Sequence, residues 1–325
     1  MKKFIVLALS VLMLASCAGG SAVATAGKTK ITRGEFEFYL SSIKSQMKGT
    51  EIQTDEDWET KEIESKKAID VAKQRALDIA TKNVEYRDLA KLAGVRLTDD
   101  DKAKINGMKE QIIANNGGKD SYKKFLSDNN ITDSFIDMMC ESTVYYSKIG
   151  DMVKAKTPIT DDALKARFES SGVQGEYRKA KHILFLTVDS ATRQPLSEEE
   201  QKKAEQQAND VYERIKKGED FDALMKEFSQ DPGLAQNPDG YVFGSGEMVA
   251  EFEQAVDAVM PGEVTFCKSD FGYHIIKRLQ LEMDDVRDKL EDKIVDEMVD
   301  NKLAEWEKEY NFVVTKNDEL LKEIK

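Results

Sequence analysis

The sequence predicts an α+β protein in which a small antiparallel sheet with flanking helices is inserted between the N- and C-terminal parts of an all-helical body. Three observations carry this reading. Apolar residues recur at helical spacing up to about residue 170 and again beyond 282. Between Tyr177 and Leu281 the texture changes to β-branched and aromatic runs punctuated by a Pro261-Gly262 turn. A chain of 325 residues is also too long for one ordinary core and suggests two domains.

The N-terminus sets the compartment. Lys2 and Lys3 precede an apolar run from Phe4 to Leu14, interrupted only by Ser10. That run is far shorter than the roughly 20 residues needed to span a bilayer, and it has the length of a signal-peptide core. Leu14-Ala15-Ser16-Cys17 resembles a bacterial lipobox. The resemblance implies a signal peptide over 1–16, acylation of the Cys17 thiol, and a small-residue tether over 17–30 that includes Gly19-Gly20-Ser21-Ala22. The formal charge of −13 becomes −15 once the two lysines leave. So acidic a chain offers no footprint for nucleic acid and is repelled by an anionic leaflet, which leaves anchoring to the lipid. Cys140 and Cys267 remain, too few for a disulfide framework, and are expected as buried thiols.

The N-terminal helical domain is expected over 31–175. Thr32-Arg33-Gly34-Glu35 fits a capping box, in which hydroxyl and carboxylate satisfy each other's free backbone N–H groups. Phe36, Tyr39, Leu40, Ile43 and Met47 then share one face. A long helix is read from Asp57 to Ala93, closed by Gly94. Four more follow, over Thr98 to Asn115, Ser121 to Asp128, Thr132 to Ala155 and Thr160 to Ser170, each opened by a good capping hydroxyl. This region holds no histidine and no catalytic constellation.

Residues 176–281 form the expected α+β domain. A strand spans Tyr177 to Val188, and Ser197-Glu198-Glu199-Glu200 caps a helix whose core face is Ala204, Ala208, Val211, Tyr212 and Ile215. Helices over 221–228 and 248–259 precede two strands, Val264 to Cys267 and Tyr273 to Leu281. Over 282–325 a helix from Asp284 to Tyr310 presents Val286, Leu290, Ile294, Met298, Leu303 and Trp306 along one side. A lone stripe needs a partner, expected to be the N-terminal domain. Phe312 to Thr315 adds a short strand beside Val23 to Ile31.

Five motifs follow one another inside the α+β segment: Lys181-His182-Ile183-Leu184, Phe228-Ser229-Gln230-Asp231-Pro232, Gly246-Glu247-Met248-Val249 with Phe252-Glu253, Pro261-Gly262-Glu263-Val264, and Phe271-Gly272-Tyr273-His274-Ile275-Ile276. Together they resemble the parvulin family of peptidyl-prolyl isomerases, over Tyr177 to Leu281. The flanking helices and lipobox resemble, more loosely, the PrsA/SurA class of extracytoplasmic foldases. The resemblance implies a facing imidazole pair at His182 and His274, the two histidines of the chain. It implies Asp231 beside the substrate amide, Ser269 orienting the histidines, and Phe243, Met248 and Phe252 holding the proline ring. Taken alone, Asp231-Pro232-Gly233 reads as a turn, and a Met and Phe stripe as plain core.

The chemistry is consistent with that family. An X-Pro bond turns over a barrier of about 20 kcal/mol because the planar amide must lose resonance. The twisted amide is less polar than the planar one, so a catalyst needs an apolar socket and polar groups fitted to the twisted bond. No metal or other cofactor is called for. One departure stands out. Parvulins usually read Gly-Gly-Asp/Glu-Leu-Gly before the pocket aromatic, whereas this chain reads Asn237-Pro238-Asp239-Gly240-Tyr241-Val242-Phe243. Gly240 replaces the leucine that completes the pocket, unless Val242 supplies it from a shifted backbone.

The expected function is therefore a prolyl isomerase and chaperone for unfolded or partly folded secreted and envelope proteins. The alternative is a non-enzymatic holdase whose isomerase domain has decayed, favoured by the 237–242 departure and opposed by His182, Asp231 and His274. The expected location is extracytoplasmic, lipid-anchored to a bacterial membrane. Ala18 after Cys17 points to the outer membrane if the source has two.

Overall fold

The computed structural model describes residues 22–170 and 173–324. The lipobox and Cys17 lie outside them. The chain divides into two compact units: residues 1–156 with 296–325, and residues 157–295.

The first unit opens with a hairpin, β1 (Ala22–Ala26) and β2 (Thr29–Thr32), which turns at Gly27 in the left-handed region. Of the 17–30 stretch expected as a tether, the described part from Ala22 on belongs to this sheet, with Val23 and Ala26 buried. Thr32 and Glu35 form the capping box that starts α1 (Arg33–Met47), whose expected face is buried. The single helix read over 57–93 is broken. A short α2 (Asp57–Thr60) and the hairpin β3 (Glu62–Ile63) and β4 (Lys66–Lys67) precede α3 (Ala68–Leu92). Glu64 and Ser65 take positive φ in that hairpin, a reversal no continuous helix admits. Then come α4 (Asp99–Asn115), capped by Thr98 and Asp101, α5 (Lys119–Asp128) and α6 (Asp133–Lys156). Lys148 of α6 donates to the Asp101 carboxylate at 2.6 Å.

The second unit begins with α7 (Asp161–Ser170) and α8 (Val173–Glu176), followed by β5 (Tyr177–Leu186), α9 (Glu198–Lys216) and α10 (Phe221–Phe228). Next are β6 (Tyr241–Gly244), α11 (Ala250–Asp257), β7 (Val264–Ser269) and β8 (Gly272–Leu279). These strands make an antiparallel sheet in the order β6-β5-β8-β7. Strand alternation gives the sheet two faces. Ile183, Phe185, Tyr273 and Ile275 pack with Ala204, Ala208 and Val211 of α9 and Phe221, Leu224 and Met225 of α10. On the opposite face Ala180, Phe243 and Ile276 pack with Phe252 and Val256 of α11.

The observed unit is wider than the 176–281 expected for the inserted domain. Leu164 and Val173 on its N-terminal side and Leu281, Val286 and Leu290 on its C-terminal side share one buried cluster, joined by Ile294. An ion pair from Lys179 to Asp285 at 2.6 Å reinforces it. The stripe read along 284–310 is therefore split, its first half (Val286, Leu290 and Ile294) packing with Leu164 and Val173 rather than with the N-terminal domain.

The boundary at 295/296 falls within α12 (Arg287–Tyr310). Beyond it the chain returns to the first unit. There β9 (Val314–Lys316) pairs antiparallel with β1, and α13 (Asp318–Glu323) is capped by Asn317. Ile324, Phe312, Leu320 and Leu321 join the core of Phe36, Leu77 and Phe135. No helix among the described residues is long and apolar enough to cross a membrane. Cys140 is buried and Cys267 only half-buried, both as free thiols.

Candidate active site

Register brings the two histidines together. In the β5–β8 ladder His182 lies opposite Ile276 and Leu184 opposite His274. The histidines are thus diagonal neighbours on one face, within reach of ring side chains. Their rings lie nearly parallel at 10°, with Nδ1 to Nδ1 at 3.0 Å. Ser269, the last residue of β7, places its hydroxyl 2.7 Å from His274 Nε2. From the other end His182 Nε2 lies 3.2 Å from Asp231 Oδ2. Asp231 follows α10, where the Gln230 N–H donates to the Leu184 carbonyl and fixes that loop to β5.

One arrangement of hydrogens satisfies every member of the chain. The Asp231 carboxylate only accepts, so His182 donates from Nε2, and in a singly protonated ring Nδ1 then accepts. His274 therefore donates from Nδ1, and its Nε2 accepts the Ser269 hydroxyl. Ser269 Oγ in turn accepts the Phe271 N–H at 3.1 Å. In this arrangement all side-chain donors point toward Asp231. Burial, aided by the neighbouring His182, lowers the His274 pKa to about 3, in keeping with a neutral ring. Burial alone would raise Asp231. Hydrogen bonds from His182, Tyr241 and the Gly233 N–H outweigh it and hold the carboxyl at about 2.

These groups border a cavity of about 350 Å³, walled by Leu184, Leu186, Met248, Phe252 and Phe271, with His182, His274 and Asp231 among its polar groups. Phe252 turns an edge to both imidazoles, with ring centroids 5.2 Å from His182 and 5.7 Å from His274. Met248 reaches the cavity by a different route from the expected one. It precedes α11 rather than lying on it, so helical i, i+4 spacing does not align it with Phe252. Instead the Glu253 carboxylate accepts the Gly246 and Met248 N–H groups at 2.8 and 2.9 Å and shapes the approach to the helix.

Two expected site residues take other places. Phe243 does not line the cavity. It is 1% exposed and stands behind Phe252, centroids 5.7 Å apart, so it backs the wall instead of forming it. Val242 does not replace the missing leucine either, for it faces away and packs against the cluster of Leu164, Val173 and Leu281. The unusual 237–240 segment forms a compact turn in which the Gly240 N–H donates to the Asn237 carbonyl at 3.1 Å. Proline second and glycine fourth suit such a turn.

Sequence reasoning missed Tyr241. It lines the cavity, its ring lies 5.8 Å from His182, and its hydroxyl donates to Asp231 Oδ2 at 2.6 Å. The signal was its place two residues before Phe243 on a strand, which puts both on one face. At the mouth, the Arg193 guanidinium lies over the Phe271 ring at 4.8 Å. The Asp189 carboxylate nearby is taken up by the loop's own Ala191 and Thr192 N–H groups. Among the described residues no cluster of three or more His, Cys, Asp or Glu gathers that could hold a metal ion.

Residues 166–280 match the PPIC-type PPIase domain family and form such a domain. The chain is similar to Foldase protein PrsA of Caldanaerobacter subterraneus, 28% identical over 79% of this chain and 73% of that one. It is 52% identical to Foldase protein PrsA of Geobacillus kaustophilus over 77 residues, which span 23% of this chain and 27% of that protein. Among solved structures it is similar to the PrsA crystal structure from Bacillus subtilis, at 23% identity and a TM-score of 0.30, covering 74% of this chain and 85% of the other.

Proposed function

We propose that the parvulin-type peptidyl-prolyl isomerase domain of this chain turns X-Pro bonds of unfolded polypeptides outside the cytoplasm, held at a membrane through a lipid on Cys17. The observation that carries the reading is the hydrogen-bonded pair His182 and His274 set against the apolar wall of Met248 and Phe252. In this reading the proline ring seats against Phe252 and Met248. His182 and Asp231 face the amide as it twists, while Ser269 and His274 hold His182 in its tautomer. No proton need leave the chain, because the reaction breaks no covalent bond. Catalysis then rests on fitting the twisted amide better than the planar one, in a site whose apolar wall suits its reduced polarity.

The PrsA relatives are named foldase proteins, and we extend that role to this chain. In this reading the unit of 1–156 with 296–325 holds the client while the isomerase unit works on it. The test is proline-limited refolding of a denatured protein with the full chain, run beside light scattering of an aggregating client. Acceleration of the slow phase together with reduced scattering is expected. An unchanged slow phase would overturn the enzymatic reading. For the anchor, Cys17→Ala is expected to abolish lipid incorporation and membrane fractionation, and normal lipidation of that variant would remove it.

A further inference from the structure

Two glycines lie near the edge of the cavity, and a Cβ on each would meet a different neighbour. Gly240 has φ +100°, and a Cβ there would stand 2.8 Å from the Ala180 carbonyl oxygen, so no side chain can project from this position. Gly233 shows no such backbone demand. A Cβ on it would instead lie 2.2 Å from the Tyr241 hydroxyl and 3.5 Å from Asp231 Oδ1. The loop after Asp231 is therefore glycine where the phenol must enter. On β6 the alternation sends Val242 to the opposite face, leaving Tyr241 as the residue of this segment that lines the cavity.

The phenol does more than fill space. It donates to the same carboxylate oxygen, Asp231 Oδ2, that accepts from His182 Nε2, at 2.6 Å against 3.2 Å. The Gly233 N–H takes Oδ1 at 3.0 Å. Three donors thus fix both oxygens of Asp231, and the shortest of the three bonds comes from Tyr241. With the carboxylate so held, its acceptor side stays turned to His182, which sets the direction of donation back through His274 to Ser269.

We propose that Tyr241 is a positioning and specificity-setting residue of this isomerase. Its ring supplies the wall of the proline socket that Gly240 and Val242 cannot, and its hydroxyl orients Asp231 toward the histidine chain. The inference rests on the prolyl isomerase reading above.

The two functions of the side chain separate by substitution. Tyr241→Phe keeps the ring and removes the hydroxyl. With the full chain and an X-Pro tetrapeptide, KM should stay within about twofold while kcat falls about fivefold, the effect of one ordinary hydrogen bond in the transition state. Titration of the Asp231 carboxyl carbon by NMR should show its midpoint rising by about one pH unit. Tyr241→Ala should also raise KM about tenfold, because the wall is gone. Gly233→Ala, which leaves the tyrosine in place but obstructs its hydroxyl, should reproduce the kcat loss and the carboxyl shift of Tyr241→Phe. A Tyr241→Phe protein with unchanged kcat and an unchanged Asp231 midpoint would overturn the proposal and leave the tyrosine as packing. Should the wild type show no isomerase activity, the functional reading fails instead, and the carboxyl titration still decides whether Tyr241 holds Asp231.

Discussion

Asp231→Asn tests the direction of the hydrogen-bond chain with almost no change of shape. The aspartate side chain is 11% exposed and accepts from His182 Nε2, the Tyr241 hydroxyl and the Gly233 N–H. An asparagine that keeps its oxygen on the Gly233 N–H turns its amide hydrogens toward His182 and Tyr241. Donor then meets donor at His182 Nε2, and relief requires His182 to move its proton to Nδ1. That proton faces His274 Nδ1, so His274 must shift its own to Nε2 and donate to Ser269. The reversed chain can be satisfied, since the Ser269 oxygen has a second lone pair. What is lost is the negative charge at one end. Lowering the carboxyl from 3.8 to about 2 corresponds to about 2 kcal/mol of stabilisation of the charged form, and bonds to charged groups contribute about 1.5–3 kcal/mol each. The variant should therefore lose about 2 kcal/mol of stability at pH 7. Its kcat/KM in the X-Pro assay should fall about 10- to 100-fold. Nitrogen-15 shifts of both imidazoles should report exchanged tautomers. If those shifts reverse while kcat/KM stays within threefold of wild type, the direction of the chain has no part in catalysis and the roles given to Asp231 and His182 are wrong.

Three further outcomes follow from the structure. Because the His274 pKa is lowered to about 3, the unfolded chain binds a proton there that the native one refuses, so stability falls as pH drops from about 6.5 toward 3; urea midpoints at pH 7 and pH 4.5 should converge less in wild type than in His274→Gln, and equal pH sensitivity would contradict this. Phe252→Ala removes a ring that is 3% exposed and touches both imidazoles; it should cost about 3–5 kcal/mol in denaturation and at least tenfold in isomerase turnover, while client scattering stays unchanged, whereas full activity would exclude Phe252 from the socket. Ending the chain after Val295 removes β9 and the 2%-exposed Ile324 from the first unit; its denaturation midpoint should drop while near-UV signals of the 157–295 unit persist, and a first unit that melts as before would show that its C-terminal return is dispensable.

Local chemistry written along the chain determined much of this protein. The capping boxes at Thr32, Thr98 and Ser197 satisfy backbone groups within one helical turn, so those helices begin where the sequence places them. The family resemblance named His182 and His274 as a facing pair, and the β5–β8 register then sets them diagonally on one face. Other features depend on partners distant in sequence. The 57–93 stretch has helical periodicity throughout, yet Glu64 and Ser65 reverse it, a backbone choice that periodicity does not record. The stripe along 284–310 reads as one surface, but Leu164 and Val173 cover its start, and only packing across more than 100 residues decides that. At the site, motif order named His182, Asp231, His274, Ser269, Met248 and Phe252, while Tyr241 went unread and Phe243 was placed one layer too far forward. The reason is physical: alternation tells which face a strand residue takes, but whether it lines a cavity or stands behind another ring depends on what packs against that face. Gly233 makes the same point most sharply. Its lack of a side chain serves a hydroxyl eight residues away, and the tertiary structure alone brings the two together.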